Sequence, residues 1–136
     1  MNTLAVRSAV EPDELITADR LAGEPGTSSG RRLHVEPNGS FSMVAIAWRP
    51  GAVTRVHDHL AWCVFGVLAG VGHEGLYALS EDGTTLTGIG GKANRTGEVG
   101  GFAPPGDDTA VSLRIHGTDL RRVGSSVRRF YDLPTE

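Results

Sequence analysis

At 136 residues the chain has the length of one domain, enough to bury a core without staples. A single cysteine, Cys63, excludes an internal disulfide framework and suits a reducing compartment, so a cytoplasmic protein is expected. With a net charge of -3 nucleic-acid binding has no support, and without a long apolar run or a basic-then-apolar N-terminus neither membrane insertion nor secretion is expected.

Nineteen glycines and seven prolines, against 6% aromatic residues, favour many short strands. The one helical pattern is Glu11 to Ala22: Pro12 suits the first turn, Asp13 and Glu14 the positive end, and Leu15, Ala18, Leu21 and Ala22 share a face. Gly23 ends it and Glu24 to Gly30 is a loop, so residues 1–30 are expected to precede a β-domain over residues 31–136. Arg31 to Glu36 is a strand closed by Pro37-Asn38-Gly39, and Phe41 to Trp48 is a long apolar strand turned by Arg49-Pro50-Gly51. Val53 to His59 alternates as a strand, and Trp62 to Leu68 is nearly all apolar, the pattern of a strand buried on both faces. Gly70 to Gly72 turns into His73 to Ser80, Glu81-Asp82-Gly83 makes a hairpin turn, and Thr84 to Ile89 runs into the glycine-rich Gly88 to Gly91. Gly97 to Ala103, a Pro104-Pro105-Gly106 turn and the alternating strand Thr109 to His116 follow, and Val127 to Leu133 is expected to pack back on the body. Arg121, Arg122, Arg128 and Arg129 read as a solvated rim or a subunit contact. About eight strands with no long helix make an all-β jelly roll or small barrel.

The residues that carry chemistry are His57-Asp58-His59. Side chains two apart on a strand share a face, so His57 and His59 converge on one point while Asp58 faces the other way. Two imidazoles from one strand suit adjacent positions on iron, copper, zinc or nickel. Gly51 lies six residues before His57, and this Gly-x5-His-x-His pattern, followed by the short apolar strand Trp62 to Gly70, resembles the first half of the cupin motif. Most cupins carry a glutamate ligand four residues after the second histidine; here Cys63 stands there.

Histidines without that carboxylate resemble the thiol dioxygenases of cysteine-dioxygenase type, and the likeness runs from Arg31 to Leu133. Its carriers are Trp48-Arg49-Pro50-Gly51, His57-Asp58-His59, Trp62-Cys63-Val64, Gly101-Phe102-Ala103-Pro104-Pro105-Gly106-Asp107, Ala110-Val111-Ser112-Leu113, and Gly124-Ser125-Ser126-Val127 with Arg128-Arg129-Phe130-Tyr131-Asp132-Leu133. The resemblance implies a cupin double-stranded β-helix with Fe(II) held by three histidines, His57 and His59 among them. It matches Cys63 to a cysteine that in animal enzymes bonds covalently to a tyrosine. It also matches Arg31, or Arg32 if the register slips by one, to the arginine that grips the substrate carboxylate. The implied reaction oxidises a small thiol carboxylate, cysteine or 3-mercaptopropionate, with dioxygen to a sulfinate. A homodimer is expected by the same likeness.

The chain also departs from that family. The segment that carries the third histidine is missing between Asp107 and Asp108, and Thr109 stands at its expected place. The family's Ser-x-His-x-Tyr reads Ser112-Leu113-Arg114-Ile115-His116, with Ser112, Arg114 and His116 on one face by the period of two. With His116 at the tyrosine position, Cys63 has no tyrosine to crosslink there. Two readings of His116 are open: a cavity-lining or core histidine bonded to backbone, or a replacement ligand. Arg114 suits an anionic ligand near the site. The expected catalytic residues are therefore Ser112, His116 and Cys63, with Arg31 and Arg114 for substrate and His57 and His59 for metal. The rival expectations are a degenerate cupin that binds a small anion without turnover, and a purely structural barrel. His34 and His73 receive no role.

Overall fold

The computed structural model describes residues 16–95 and 109–135. In chain order these form α1 (Ala18–Leu21), β1 (Ser28–Val35), β2 (Ser42–Trp48), β3 (His57–His59), β4 (Cys63–Ala69), β5 (Val71–Leu79), β6 (Leu86–Arg95), β7 (Ala110–His116), α2 (Leu120–Val123) and β8 (Val127–Phe130). Four strands make a sheet in the order β1-β2-β7-β4, and β3-β8 and β5-β6 form separate pairs.

The central pair of the sheet, β2 and β7, runs antiparallel without a break, from Ser42 opposite His116 to Trp48 opposite Ala110. Directly opposed residues share a face and faces alternate along each strand, so this register sorts every side chain. One face collects Val44, Ile46 and Trp48 with Ser112, Arg114 and His116; β4 adds Cys63 opposite His116 and Phe65 opposite Arg114. The other face presents Ala45, Ala47 and Val111, which pack with Ile16 and, more loosely, with Leu21 and Leu33. Two alanines in β2 let the segment around α1 lie close to the sheet, and the fully buried Ile16 contributes about 2 kcal/mol there. The β3-β8 pair covers the first face. A pocket of about 280 Å³ between them is lined by Ile46 and Trp48 on one side and by His57, His59 and Val127 on the other.

Arg49 ties α1 to the barrel. Buried in the turn after β2, its guanidinium donates to the carbonyls of Arg20 and Ala22 at 2.6 and 2.7 Å, to Thr27 Oγ1 at 2.9 Å and to Ser29 Oγ at 2.8 Å. A helix of four residues leaves its terminal carbonyls unsatisfied, and a buried fork of charged donors meets them. Gly23 makes room: a Cβ there would lie 2.4 Å from Arg49 Nε.

Several expectations are corrected. Of the helix over Glu11 to Ala22 only Ala18–Leu21 is helical among the described residues, and its N-terminal part lies outside them. Glu24 to Gly30 is not all loop, because Ser28 and Ser29 already pair with Trp48 and Ala47. Only the last three residues of Val53 to His59 are strand, matching the short partner β8. Trp62 and Val64 are 59% and 48% exposed, so β4 buries one face and not two. The glycines from Gly88 to Gly91 run inside β6, where Gly91 opposes Gly75 and a Cβ would meet the Glu74 carbonyl oxygen at 2.7 Å. The strand expected over Gly97 to Ala103 and the Pro104-Pro105-Gly106 turn lie outside the described residues.

Arg49→Lys is expected to destabilise the protein by about 2–3 kcal/mol, since an ammonium cannot reach four acceptors spread across a planar fork. Urea unfolding checks this; an unchanged midpoint would show that Arg49 does not hold α1 in place.

Candidate metal centre

The short strand β3 places His57 and His59 side by side, with their Nε2 atoms 3.0 Å apart. His57 Nδ1 lies 2.7 Å from the Arg55 carbonyl oxygen, which can only accept, so Nδ1 carries the proton and Nε2 keeps its lone pair. Two nitrogens bound to one ion at about 2.1 Å and at right angles would be separated by about 3.0 Å. Separation and tautomer therefore both fit a metal.

Opposite this pair stands β7. His116 is buried, its ring centroid lies 5.7 Å from that of His59, and its Nδ1 is a buried nitrogen with no hydrogen-bond partner among the described residues. One donor atom each from His59, Cys63 and His116 lie within 4.8 Å of one another. Cys63 and His116 meet because they are directly opposed in the β4-β7 register.

Arg114, two residues before His116, is 8% exposed, with its guanidinium carbon 5.4 Å from the Trp48 ring centroid and 5.0 Å from that of Phe65. These aromatic faces stabilise a cation that would otherwise be costly to bury. A second pocket of about 280 Å³ is lined by His57, His59, Cys63, Phe65, Glu74 and Arg114. It joins the imidazoles, a thiol and a fixed positive charge.

The charge acts on its neighbours. Burial first, then Arg114 and His59, pushes the His116 pKa down to about 4. Burial, then His57 and Arg114, lowers that of His59. Burial raises the Cys63 thiol while Arg114 opposes the rise. Both histidines are thus neutral at pH 7, the form in which an imidazole can give a lone pair to a metal.

His57 and His59 are held from behind. Asp58 pairs with Arg128 and Arg129 of β8, and its Oδ2 accepts from the Tyr131 hydroxyl at 3.0 Å. The Arg128 hydrogen bond, then that of Tyr131, holds the Asp58 carboxyl below the usual range. Arg55 pairs with Asp132 and lies over the Phe130 ring. Two of the arginines expected on a solvated rim therefore latch β8 to β3, and Arg121 pairs with Asp119. The β3-β8 ladder sets this pairing, with Asp58 directly opposite Arg129.

Other expected site residues fall elsewhere. Arg31 opposes Ala45, whose side chain is in the core behind the sheet, whereas Arg32 shares a row with Val44 and Arg114 at an exposed position. Ser112 is fully buried and accepts the Trp48 indole N–H at 3.0 Å. The structure thus brings together His57, His59, Cys63, His116 and Arg114, and leaves Arg31 and Ser112 outside that group.

The family described as cysteine dioxygenase type I matches residues 26–113. This chain belongs to the cysteine dioxygenase type I family. The cupin fold of this family member is also that of solved structures. A recombinant oxalate oxidase in complex with glycolate aligns with a TM-score of 0.52 and 20% identity over 71% of this chain and 53% of that one. The chain thus spans about half the length of the oxalate oxidase, at 53%. A cupin-like protein from Thermotoga maritima aligns with a TM-score of 0.46 and 16% identity over 71% of each chain. No helix among the described residues is long and apolar enough to cross a membrane.

A histidine whose folded pKa lies below its unfolded value favours the unfolded state once protons bind. The metal-free protein is therefore expected to keep full stability above about pH 6.5 and lose it as pH falls towards about 4, the folded value for His116. Urea midpoints at pH 7 and pH 5 check this. His116→Gln should flatten the difference; an equal drop in that variant would place the sensitivity elsewhere.

Proposed function

We propose that the chain is a non-haem iron oxygenase that converts a small thiol carboxylate, cysteine or 3-mercaptopropionate, to its sulfinate. The observation that carries this reading is the pair of Nε2 atoms 3.0 Å apart, opening on a pocket that also holds a buried guanidinium. Membership of the cysteine dioxygenase family supports the reaction class.

In this reading His57 and His59 would hold Fe(II), and the imidazoles alone leave zinc, nickel, manganese or copper chemically open. When bound, the metal supplies the Lewis-acid and redox chemistry that joins thiolate sulfur to dioxygen. The chain's own residues do the rest. Arg114 grips the carboxylate, and its position between Trp48 and Phe65 fixes the direction of the fork, so the substrate sulfur is presented to the histidines. The Phe65 ring walls the same pocket and limits water beside the reacting sulfur. A volume of about 280 Å³ suits a ligand smaller than drug size. Both oxygen atoms pass to sulfur, so no external reductant is needed. Cys63 stays a thiol until a cation draws off its proton, because burial raises its pKa.

A second reading, a cupin that holds a small anion without turnover, is favoured by the same Arg114, which would serve either ligand.

Iron-loaded protein under air is expected to consume one dioxygen per thiol oxidised. Arg114→Met should raise KM for the thiol carboxylate at least about tenfold, with a smaller change in kcat. Binding of the thiol carboxylate with no oxygen uptake would select the second reading, and a KM unchanged in Arg114→Met would remove Arg114 from the binding role.

A further inference from the structure

We infer that His116 is the third ligand, so that the ion is gripped from two walls of the barrel, by His57 and His59 on β3 and by His116 on β7. This inference rests on the metal reading above and adds to it a residue from a different strand and sheet.

The first argument is the orphaned nitrogen. His116 is 7% exposed, and its buried Nδ1 finds no hydrogen-bond partner among the described residues. Buried polar atoms are nearly always satisfied, so this one is open to an occupant that the described residues do not supply. The expected alternative, a core histidine bonded to backbone, finds no partner at this atom among the described residues. The polar side chain opposite on β2 is engaged as well: Ser42 Oγ donates to the Thr118 carbonyl at 2.7 Å and accepts from Leu120 N–H at 3.0 Å.

The second argument is placement. A His116 donor lies within 4.8 Å of donors from His59 and Cys63, and His59 Nε2 is in turn 3.0 Å from His57 Nε2. His59 is therefore common to both groups, and three imidazoles meet on one ion when β3 closes towards β7. Ser126 Oγ, also buried without a partner among the described residues, lines the same pocket as His57, His59 and His116, which gives a polar occupant there a second motive.

The third argument is stiffness. β7 is paired on both sides, so His116 cannot be displaced without breaking two ladders. A ligand on such a strand fixes where the ion sits, while the short β3 can adjust.

Cobalt(II) titration of the metal-free full chain tests this, read by visible absorption and by the shift of Tm on adding cobalt. Wild type is expected to bind one cobalt with a raised Tm. His57→Ala and His116→Gln should each weaken binding at least about tenfold and lose most of the Tm shift. His116→Asp, which offers a carboxylate from the same position, should bind cobalt with an altered absorption spectrum. His116→Gln binding as wild type does while His57→Ala is impaired, or a wild-type spectrum in His116→Asp, would overturn the inference and leave the metal reading standing. No cobalt binding by wild type would remove both.

Discussion

A guanidinium buried between two aromatic rings is the constraint on which the interior of this barrel depends. Arg114 cannot lose its charge, and at 8% exposure it is largely removed from water. Trp48 and Phe65 supply the faces that make this tolerable, and Ser112 holds the Trp48 indole in place. Everything titratable nearby responds. His59 and His116 are kept neutral by burial with Arg114 behind it, while the same charge pulls the Cys63 thiol towards its anion. A cavity with a fixed cation, neutral imidazoles and a thiol is therefore prepared for an anion and for a metal together, and poorly prepared for a second organic cation.

The strand ladder decides which residues meet this charge. β7 lies inside the sheet, so its phase is set from both neighbours, and Ser112, Arg114 and His116 have to share the inner face. The facing strand β3 is only three residues long and could not hold two imidazoles by its own ladder. β8 compensates. Asp58 is gripped by Arg128 and Tyr131, and His57 is pinned through its Nδ1 to the Arg55 carbonyl. The precision of the pair thus comes from its rear face, through contacts that touch neither pocket occupant.

How much of this was legible in the sequence follows from how local each signal is. The His57-Asp58-His59 pair was readable because a period of two is a property of one strand, and the all-β cupin fold because turn residues recur at short intervals. The inner-face grouping of Ser112, Arg114 and His116 was readable for the same reason. The phase of Arg31 was not, because it depends on pairing with β2, whose register also shifts between Arg32 and His34. Nor was the exposure of Trp62 and Val64, since an apolar strand looks the same at the edge of a sheet and inside it. The arginines from Arg121 on are solvent-facing as read, but the pairing of Arg128 and Arg129 with Asp58 was not legible, because that acid lies far off in sequence.

The two departures on β7 fit together. Relative to the thiol dioxygenases that the chain resembles, a histidine has become Arg114 and a tyrosine His116, while the segment expected to supply a third histidine is absent between Asp107 and Asp108. A charge carried into the barrel would repel a divalent ion unless the net charge of the occupied site were balanced. In the proposed complex the cations are the metal and Arg114, three positive charges against neutral imidazoles; a thiolate carboxylate brings two negative charges, and Glu74, which lines the same pocket and acts on Arg114, brings the third. Arg31 and Arg32 both remain, Arg31 on the far face of the sheet and Arg32 exposed, so the proposed grip of Arg114 is a further, buried one. Recognition moves inward to the strand that carries His116, so ligand charge and metal charge are set by residues two apart on one rigid ladder.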